Sequence, residues 1–260
     1  LDLIEWANGD VTTKWGAVRA AAGHPAPFNL KYLGIGNEEK ISPEFIERFK
    51  YMYDKVTKAH PEIVIVGTAG PGSHAGNQDY EAAWKLAEEI GLPIIDEHYY
   101  DPRQQFIDSR QYDNEFYKDK KCKVYLGEYA AKDKKLQDAL AEALYLCHVE
   151  RNADVVEMAT YAPLLAHVEG WQWRPDLIWF DNLTSWRTAS WHVQQMYSEF
   201  RGQNVLSLTM NDSPVTGIEG QDGLFASAVR DGDRIYVKVA NMSAKPQPVD
   251  FHFIGARKNS

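Results

Sequence analysis

Two glutamates stand out for what they could do chemically. Glu38 closes the run Asn29-Leu30-Lys31-Tyr32-Leu33-Gly34-Ile35-Gly36-Asn37-Glu38-Glu39, and Glu128 closes Cys122-Lys123-Val124-Tyr125-Leu126-Gly127-Glu128-Tyr129. Both runs read as an apolar strand entering a Gly-containing turn with a carboxylate at its tip. Buried parallel strands look like near-continuous hydrophobic runs, and ligand chemistry gathers at their carboxyl ends. Two carboxyl groups facing each other across such a cleft can divide the work of glycoside hydrolysis. One protonates the leaving oxygen while the other attacks the anomeric carbon or activates water, and different environments must keep one protonated and the other ionised. The plain alternative is that Gly36-Asn37-Glu38 is a turn and Glu128 a solvated strand end. Two matched strand ends in one pattern weigh against it.

A third strand end lies between them in sequence. In Ile94-Ile95-Asp96-Glu97-His98-Tyr99-Tyr100, strand alternation sends His98 and Tyr100 to one side. His98 could hydrogen-bond a carboxylate, and Tyr100 could orient the nucleophile through its hydroxyl; a buried His and a core Tyr fit the pattern equally well. Asn37 could donate its amide to a sugar hydroxyl. Trp171, Trp173 and Trp179 lie in a loop after the fifth strand and could line a sugar subsite, although Trp179 fits packing as well. No second His stands at metal-ligand spacing from His98 and Glu97, which argues against zinc. The chain carries no P-loop, no dinucleotide fingerprint and no Gly-x-Ser-x-Gly elbow.

The elements that must position these residues follow a clear rhythm. Strands are expected over 30–35, 62–67, 94–100, 122–128 and 154–161. Helices are expected over 42–60, 79–90, 134–152 and 190–201, the first opened by Ser42 with Pro43 behind it. This alternation is the signature of βαβ crossovers and a parallel sheet. Residues 2–9 read as a helix end stopped at Asn8-Gly9, and residues 15–22 as a short helical piece. From Val205 onward the texture changes to short alternating strands over 205–209, 224–229 and 234–239, with a hairpin turn at Arg230-Asp231-Gly232-Asp233. The expected fold is therefore α/β: a (β/α)8 TIM barrel represented by its last five β/α units in residues 1–203. The start of a C-terminal antiparallel β-sandwich follows in residues 204–260. Neither Leu1 nor Lys258-Asn259-Ser260 reads as a natural end of these domains.

Composition narrows the partners. A net charge of −9 over 260 residues argues against nucleic acid or an anionic membrane, which call for clustered Lys and Arg. The 8 Trp and 14 Tyr suit a sugar cleft, where rings stack on pyranose or furanose faces, though large cores use them too. Two cysteines, Cys122 and Cys147, are too few for a disulfide framework and read as buried thiols. No apolar run approaches the ~20 residues that span a bilayer. Three Asn-x-Ser/Thr triplets, at Asn182, Asn211 and Asn241, are too common a pattern to carry weight.

Taken in order, Lys31 to Glu38, Asp96 to Tyr100, Gly127-Glu128-Tyr129 and Trp173-Arg174-Pro175-Asp176-Leu177-Ile178 resemble the family-51 α-L-arabinofuranosidases, retaining glycosidases of the large barrel clan. The resemblance extends from Ile4-Glu5-Trp6-Ala7-Asn8-Gly9 to the β-rich end. It implies that Glu38 is the general acid/base and Glu128 the nucleophile. It also implies that Asn37 meets the sugar 2-hydroxyl and that Tyr100 holds the nucleophile with His98 nearby. It numbers the strand at 30–35 as the fourth of eight, so that three strands, which in the family supply a Glu and an Asn to the sugar, precede it. Pro175-Asp176 departs from members that place a Gln there, and no sugar contact is carried over at that point.

The expected activity is release of terminal α-L-arabinofuranosyl residues from arabinan or arabinoxylan by double displacement, with no metal or organic cofactor implied. The expected partner is an arabinose-containing polysaccharide or oligosaccharide, with self-association of the complete protein allowed. A secreted or periplasmic location is favoured over a cytoplasmic one. The alternatives are another retaining barrel glycosidase, such as a β-xylosidase or endoglucanase, and a non-catalytic carbohydrate-binding fragment.

Overall fold

The structure is a computed structural model that describes residues 1–133, 135–174 and 176–255. Lys134 at the start of one expected helix, Pro175 of the Trp173 motif and the terminal Lys258-Asn259-Ser260 lie outside the described residues. In chain order the first elements are α1 (Asp2–Asn8), α2 (Lys14–Ala21), β1 (Tyr32–Ile35), α3 (Pro43–Ala59), β2 (Val64–Thr68), α4 (Gln78–Ile90) and β3 (Ile94–Asp101). Then come α5 (Arg103–Asp108), a 3-10 turn (Gln111–Asp113), α6 (Glu115–Lys118), β4 (Lys123–Ala131), α7 (Leu136–Arg151) and β5 (Val156–Ala159). The chain divides into two compact units. One comprises Leu1–Asp101, Arg110–Ala130 and Asn152–Leu164; the other comprises Pro102–Ser109, Ala131–Arg151 and Leu165–Ser260.

The first unit is built on a five-stranded sheet in the order β1-β2-β3-β4-β5, with parallel pairing of β1 to β2, β2 to β3 and β4 to β5. The helices start and stop where local chemistry dictates. Ser42 Oγ accepts from the Phe45 amide and Pro43 takes the first helical position of α3. Asn77 caps α4 through the amides of Asp79 and Tyr80, and α4 ends at Gly91, whose φ of 67° suits a residue with no Cβ. The inner strands carry the core. Ile65, Ile95, Val124 and Leu126 are almost wholly buried, each stabilising the fold by about 1.5–3 kcal/mol relative to exposure.

The edges of this sheet differ from the expectation of uniformly buried strands. β1 alternates between exposed and partly buried residues and buries only Ile35, and β5 buries only Val156. Each is an edge strand with a single neighbour in the sheet, so one side of its backbone and part of each face stay open. The fifth strand is also shorter than the expected 154–161.

The second unit centres on α7, which is buried on nearly all sides, from Ala139 and Ala141 through Leu144, Cys147 and Val149. Asp138, Glu142 and His148 of the same helix are buried too, so other elements enclose its polar side as well as its apolar one. Its β-rich part contains the parallel pair β6 (Leu165–His167) and β7 (Ile178–Phe180), with β8 (Ser185–Arg187) antiparallel to β7. Helix α8 (Ala189–Glu199) follows. Beyond it lie β9 (Asn204–Leu206), the small pair β10 (Thr209–Met210) and β11 (Ser213–Pro214), and the long hairpin β12 (Leu224–Asp231) with β13 (Arg234–Asn241). The turn of that hairpin is tighter than the expected Arg230-Asp231-Gly232-Asp233: Arg230 and Asp231 pair in the ladder with Ile235 and Arg234, leaving Gly232-Asp233 to turn the chain.

Sequence periodicity did not foresee β6, β7 and β8, because three-residue strands are too short to display a period. Trp179 accordingly sits in β7, opposite Trp186 in β8, and not in a loop. The single strand expected over 205–209 is two, β9 and β10, divided at residues 207–208. Both cysteines are free and buried, as expected.

Candidate active site

The site lies within the first unit and is assembled from the ends of β1, β3 and β4. Glu38 follows β1 in a left-handed backbone conformation, φ 60°, which a residue with a Cβ adopts only when its surroundings enforce it. Two contacts do so. The Glu38 amide donates to Thr68 Oγ1 at the end of β2 (3.1 Å), and the Asn37 amide donates to the Glu39 carboxylate. Glu128 lies within β4, and the Tyr100 hydroxyl of β3 donates to its Oε2 at 2.5 Å. Alternation along β3 turns Asp96, His98 and Tyr100 toward this side, as the sequence pattern predicted for the latter two.

His98 is the hub. Its Nδ1 lies 2.7 Å from Glu38 Oε1 and 3.6 Å from Glu128 Oε2, while Nε2 lies 3.1 Å from Asp96 Oδ2. Its main-chain amide donates to Ser73 Oγ (2.8 Å), so the loop after β2 pins the strand at this residue. One ligand atom each from Glu38, His98 and Glu128 lie within 4.8 Å of one another. The ring is buried, its side chain only 6% exposed, whereas Glu38 and Glu128 are 41% and 30% exposed. Burial works to strip the ring's proton, but the hydrogen bonds to Asp96 and Glu38, aided by the charges of Asp96 and Glu128, outweigh it and lift the His98 pKa to about 9.

The imidazole is thus a cation at neutral pH, donating from both nitrogens. Among the described residues this trio is the set whose donor atoms converge closely enough to share a metal ion. A metal ion there would have to displace the proton from His98. Glu97, the companion ligand that the sequence offered beside His98, lies on the opposite face of β3.

Two residues at the site carry roles that sequence reasoning passed over. Asp96 is paired with His98, and its Oδ1 is buried with no hydrogen-bond partner. Burial raises its pKa while the hydrogen bond from His98 pulls it back. Gly127 lets Asp96 in: a Cβ on Gly127 would stand 2.0 Å from Asp96 Oδ1. The signal for Asp96 was present, since it shares the alternation that singled out His98 and Tyr100. The signal for Gly127 was not, because close approach between strands is invisible in one strand's sequence.

Of the remaining candidates, Asn37 is exposed beside Glu38. Trp173 belongs to the second unit, where it is 44% exposed; Arg174 lies over the ring of Trp171, which in turn packs edge-on against Trp179.

Two carboxylates carried at β1 and β4 of one parallel sheet, with two strands between them, and drawn together around His98 are of the residue type that two-carboxylate glycoside hydrolysis uses. The description of the α-L-arabinofuranosidase 1 domain matches residues 1–118, and that of the α-L-arabinofuranosidase C-terminal domain matches residues 115–259. Among curated relatives, an extracellular exo-α-L-arabinofuranosidase of Streptomyces chartreusis is 43% identical over 85% of this chain and 27% of its own length. α-L-Arabinofuranosidase 2 of Arabidopsis thaliana is 32% identical over 99% of this chain and 38% of its own.

Among solved structures, an arabinose-bound family-51 α-L-arabinofuranosidase superposes with a TM-score of 0.75 at 26% identity, covering 92% of this chain and 38% of that one. The α-L-arabinofuranosidase of Thermotoga maritima, at 19% identity and a TM-score of 0.67, shares the fold. The chain belongs to the family-51 α-L-arabinofuranosidases, and it spans well under half the length of the Streptomyces and Arabidopsis relatives. No helix among the described residues is long and apolar enough to cross a membrane.

Proposed function

We propose that this chain supplies the catalytic centre of a retaining exo-α-L-arabinofuranosidase, with Glu38 as general acid/base and Glu128 as nucleophile. The observation that carries the reading is the convergence of Glu38, His98 and Glu128 within 4.8 Å. Retaining glycosidases hold their two carboxyl groups ~5–5.5 Å apart, whereas inverting enzymes leave ~6.5–9.5 Å for a water. Glu38 gives its proton to the leaving glycosidic oxygen while Glu128 attacks the anomeric carbon, forming a glycosyl-enzyme. Glu38 then takes a proton from the incoming water, which displaces Glu128. The Tyr100 hydroxyl holds Glu128 in line and tempers its charge.

Asn37, next to Glu38, meets the sugar 2-hydroxyl, and Trp173 offers an exposed ring of the kind that stacks on a sugar face. The substrate is a terminal α-L-arabinofuranosyl unit of arabinan or arabinoxylan, in keeping with the names of the relatives. Residues 1–203 form the last five β/α units of a (β/α)8 barrel and residues 204–260 open a β-sandwich. Secretion fits the extracellular Streptomyces relative.

The test is hydrolysis of p-nitrophenyl-α-L-arabinofuranoside by the complete polypeptide that carries these residues, beside its Glu38→Ala and Glu128→Ala variants. Both variants should lose activity by orders of magnitude. Azide should rescue Glu128→Ala as the β-linked glycosyl azide and Glu38→Ala as the α-linked one. A parent that ignores this substrate but cleaves a xyloside or cello-oligosaccharide retains the two roles and loses the substrate. Variants as active as the parent overturn the pair.

A further inference from the structure

Beneath the two glutamates lies a third carboxylate to which the two-glutamate reading gives no task. Asp96 does not reach Glu38 or Glu128 directly. It meets Nε2 of His98 at 3.1 Å, and the same ring's Nδ1 meets Glu38 Oε1 at 2.7 Å. Between two ionised carboxylates a neutral imidazole, with one N–H, can donate to only one; with one more proton on the pair, shared by Nδ1 and Glu38, both hydrogen bonds are made. The approach is built for this purpose. Asp96 fits only because Gly127, the residue before Glu128, has no Cβ, and the effect of burial on the Asp96 carboxylate is opposed by His98 and by the Gly127 main chain. A buried carboxylate is costly unless a nearby charge offsets it. Among the described residues, the cation that faces Asp96 is His98.

We infer that Asp96 is a positioning residue that acts through His98, holding the ring protonated and aimed at Glu38 so that the Glu38–His98 hydrogen bond keeps the proton the acid step delivers. The inference rests on the proposed roles of Glu38 and Glu128. The titratable groups that face the His98 ring are Asp96 on its own strand, Glu38 after β1 and Glu128 on β4; Ser73, from the loop after β2, meets only its main-chain amide. The elevated His98 pKa agrees with this arrangement.

The sign of the effect follows from charge. With Asp96 ionised, the proton shared by His98 and Glu38 is released only at higher pH. Removing that negative charge makes release easier. In Asp96→Asn the basic limb of the kcat/KM profile therefore moves to lower pH, by about one unit or more, with kcat down at least about tenfold. A residue that merely packs would lower activity and leave the limb where it was.

The experiment measures pH profiles of the complete polypeptide and of Asp96→Asn on p-nitrophenyl-α-L-arabinofuranoside. Alongside them, the His98 imidazole ¹⁵N shifts are followed through a pH titration, assigned by comparison with His98→Gln. The expected result is a lower midpoint for His98 in Asp96→Asn and a basic limb shifted the same way. An unmoved basic limb together with an unmoved His98 midpoint overturns the inference, while the Glu38 and Glu128 roles stand on their own variants and azide products. Should Asp96→Asn fail to fold, Gly127→Ala, which crowds Asp96 away from its place, must move the limb in the same direction, and an unmoved limb there overturns it equally.

Discussion

The two faces of β3 hold two carboxylate environments built from adjacent residues. On one face Glu97 is completely buried and accepts from the hydroxyls of Tyr80 (3.0 Å), Tyr99 (2.9 Å) and Tyr117 (3.2 Å), from Trp84 Nε1 (3.1 Å) and from Gln111 Nε2 (3.1 Å). On the other face Asp96, His98 and Tyr100 meet Glu38 and Glu128, which are part-exposed and take few donors. Glu97 has its oxygens filled by rigid aromatic groups and no route to a ligand. Glu38 and Glu128 keep unfilled lone pairs and an open side. Residue type does not separate a structural carboxylate from a reactive one; donor count and access do.

The two carboxylate environments should respond to substitution in opposite ways. Glu128→Ala should cost about 10⁴-fold or more in kcat on p-nitrophenyl-α-L-arabinofuranoside, since a group acting as nucleophile has no substitute. Its unfolding midpoint should stay close to that of the parent.

Glu97→Leu should do the reverse. It strands the hydroxyls and the indole N–H that the carboxylate satisfied, costing roughly 3 kcal/mol or more in urea unfolding. The fraction that remains folded should turn over substrate at nearly the parental rate. A stable Glu97→Leu protein with lost activity would erase the distinction between the two faces.

Glu97 also predicts a pH dependence of stability. Burial raises its pKa from 4.5 to about 7, against the pull of the hydrogen bonds from Tyr99, Tyr80 and Trp84. The folded state therefore binds the proton more tightly than the unfolded chain. The associated stability is fully present below pH 4.5, declines as pH rises toward 7 and levels off above it. The fall amounts to at most about 3 kcal/mol, and Glu97→Gln should flatten that part of the curve in urea titrations at stepped pH.

The smallest effect is expected for Tyr100→Phe. Loss of one hydrogen bond to a charged acceptor is worth about 1.5 kcal/mol, or roughly tenfold in kcat/KM, with little change in the unfolding midpoint. A loss as deep as that of Glu128→Ala would mean Tyr100 itself takes part in the chemistry.

The βαβ rhythm, the cap at Ser42 and the placement of Glu38, His98, Tyr100 and Glu128 toward the carboxyl ends of strands were all legible in the sequence; the cap at Asn77 was not singled out. Each legible feature depends on local signals: periods of two and 3.6, turn residues and an alternating strand face. The long hairpin near the end was legible for the same reason. The exposed character of β1 and β5 was not, because an apolar run records composition and not the number of neighbours a strand acquires. Nor were β6 to β8, whose three-residue lengths carry no period.

The division of labour along Asp96-Glu97-His98 shows where local information stops. Alternation alone put Glu97 on the face away from His98. That Glu97 would meet the side chains of Tyr80, Trp84, Gln111 and Tyr117 depended on helix α4 and the segment around α6 closing over it. That Asp96 would meet His98 across a gap left by Gly127 depended on β3 and β4 lying side by side. Strand order and register join residues far apart in the chain, and contacts of that kind exist only once the sheet has formed. Residue chemistry and strand alternation are local, so the chain alone set which groups are available and which way each strand turns them; which carboxylate is satisfied and which is exposed came from contacts made across the folded sheet.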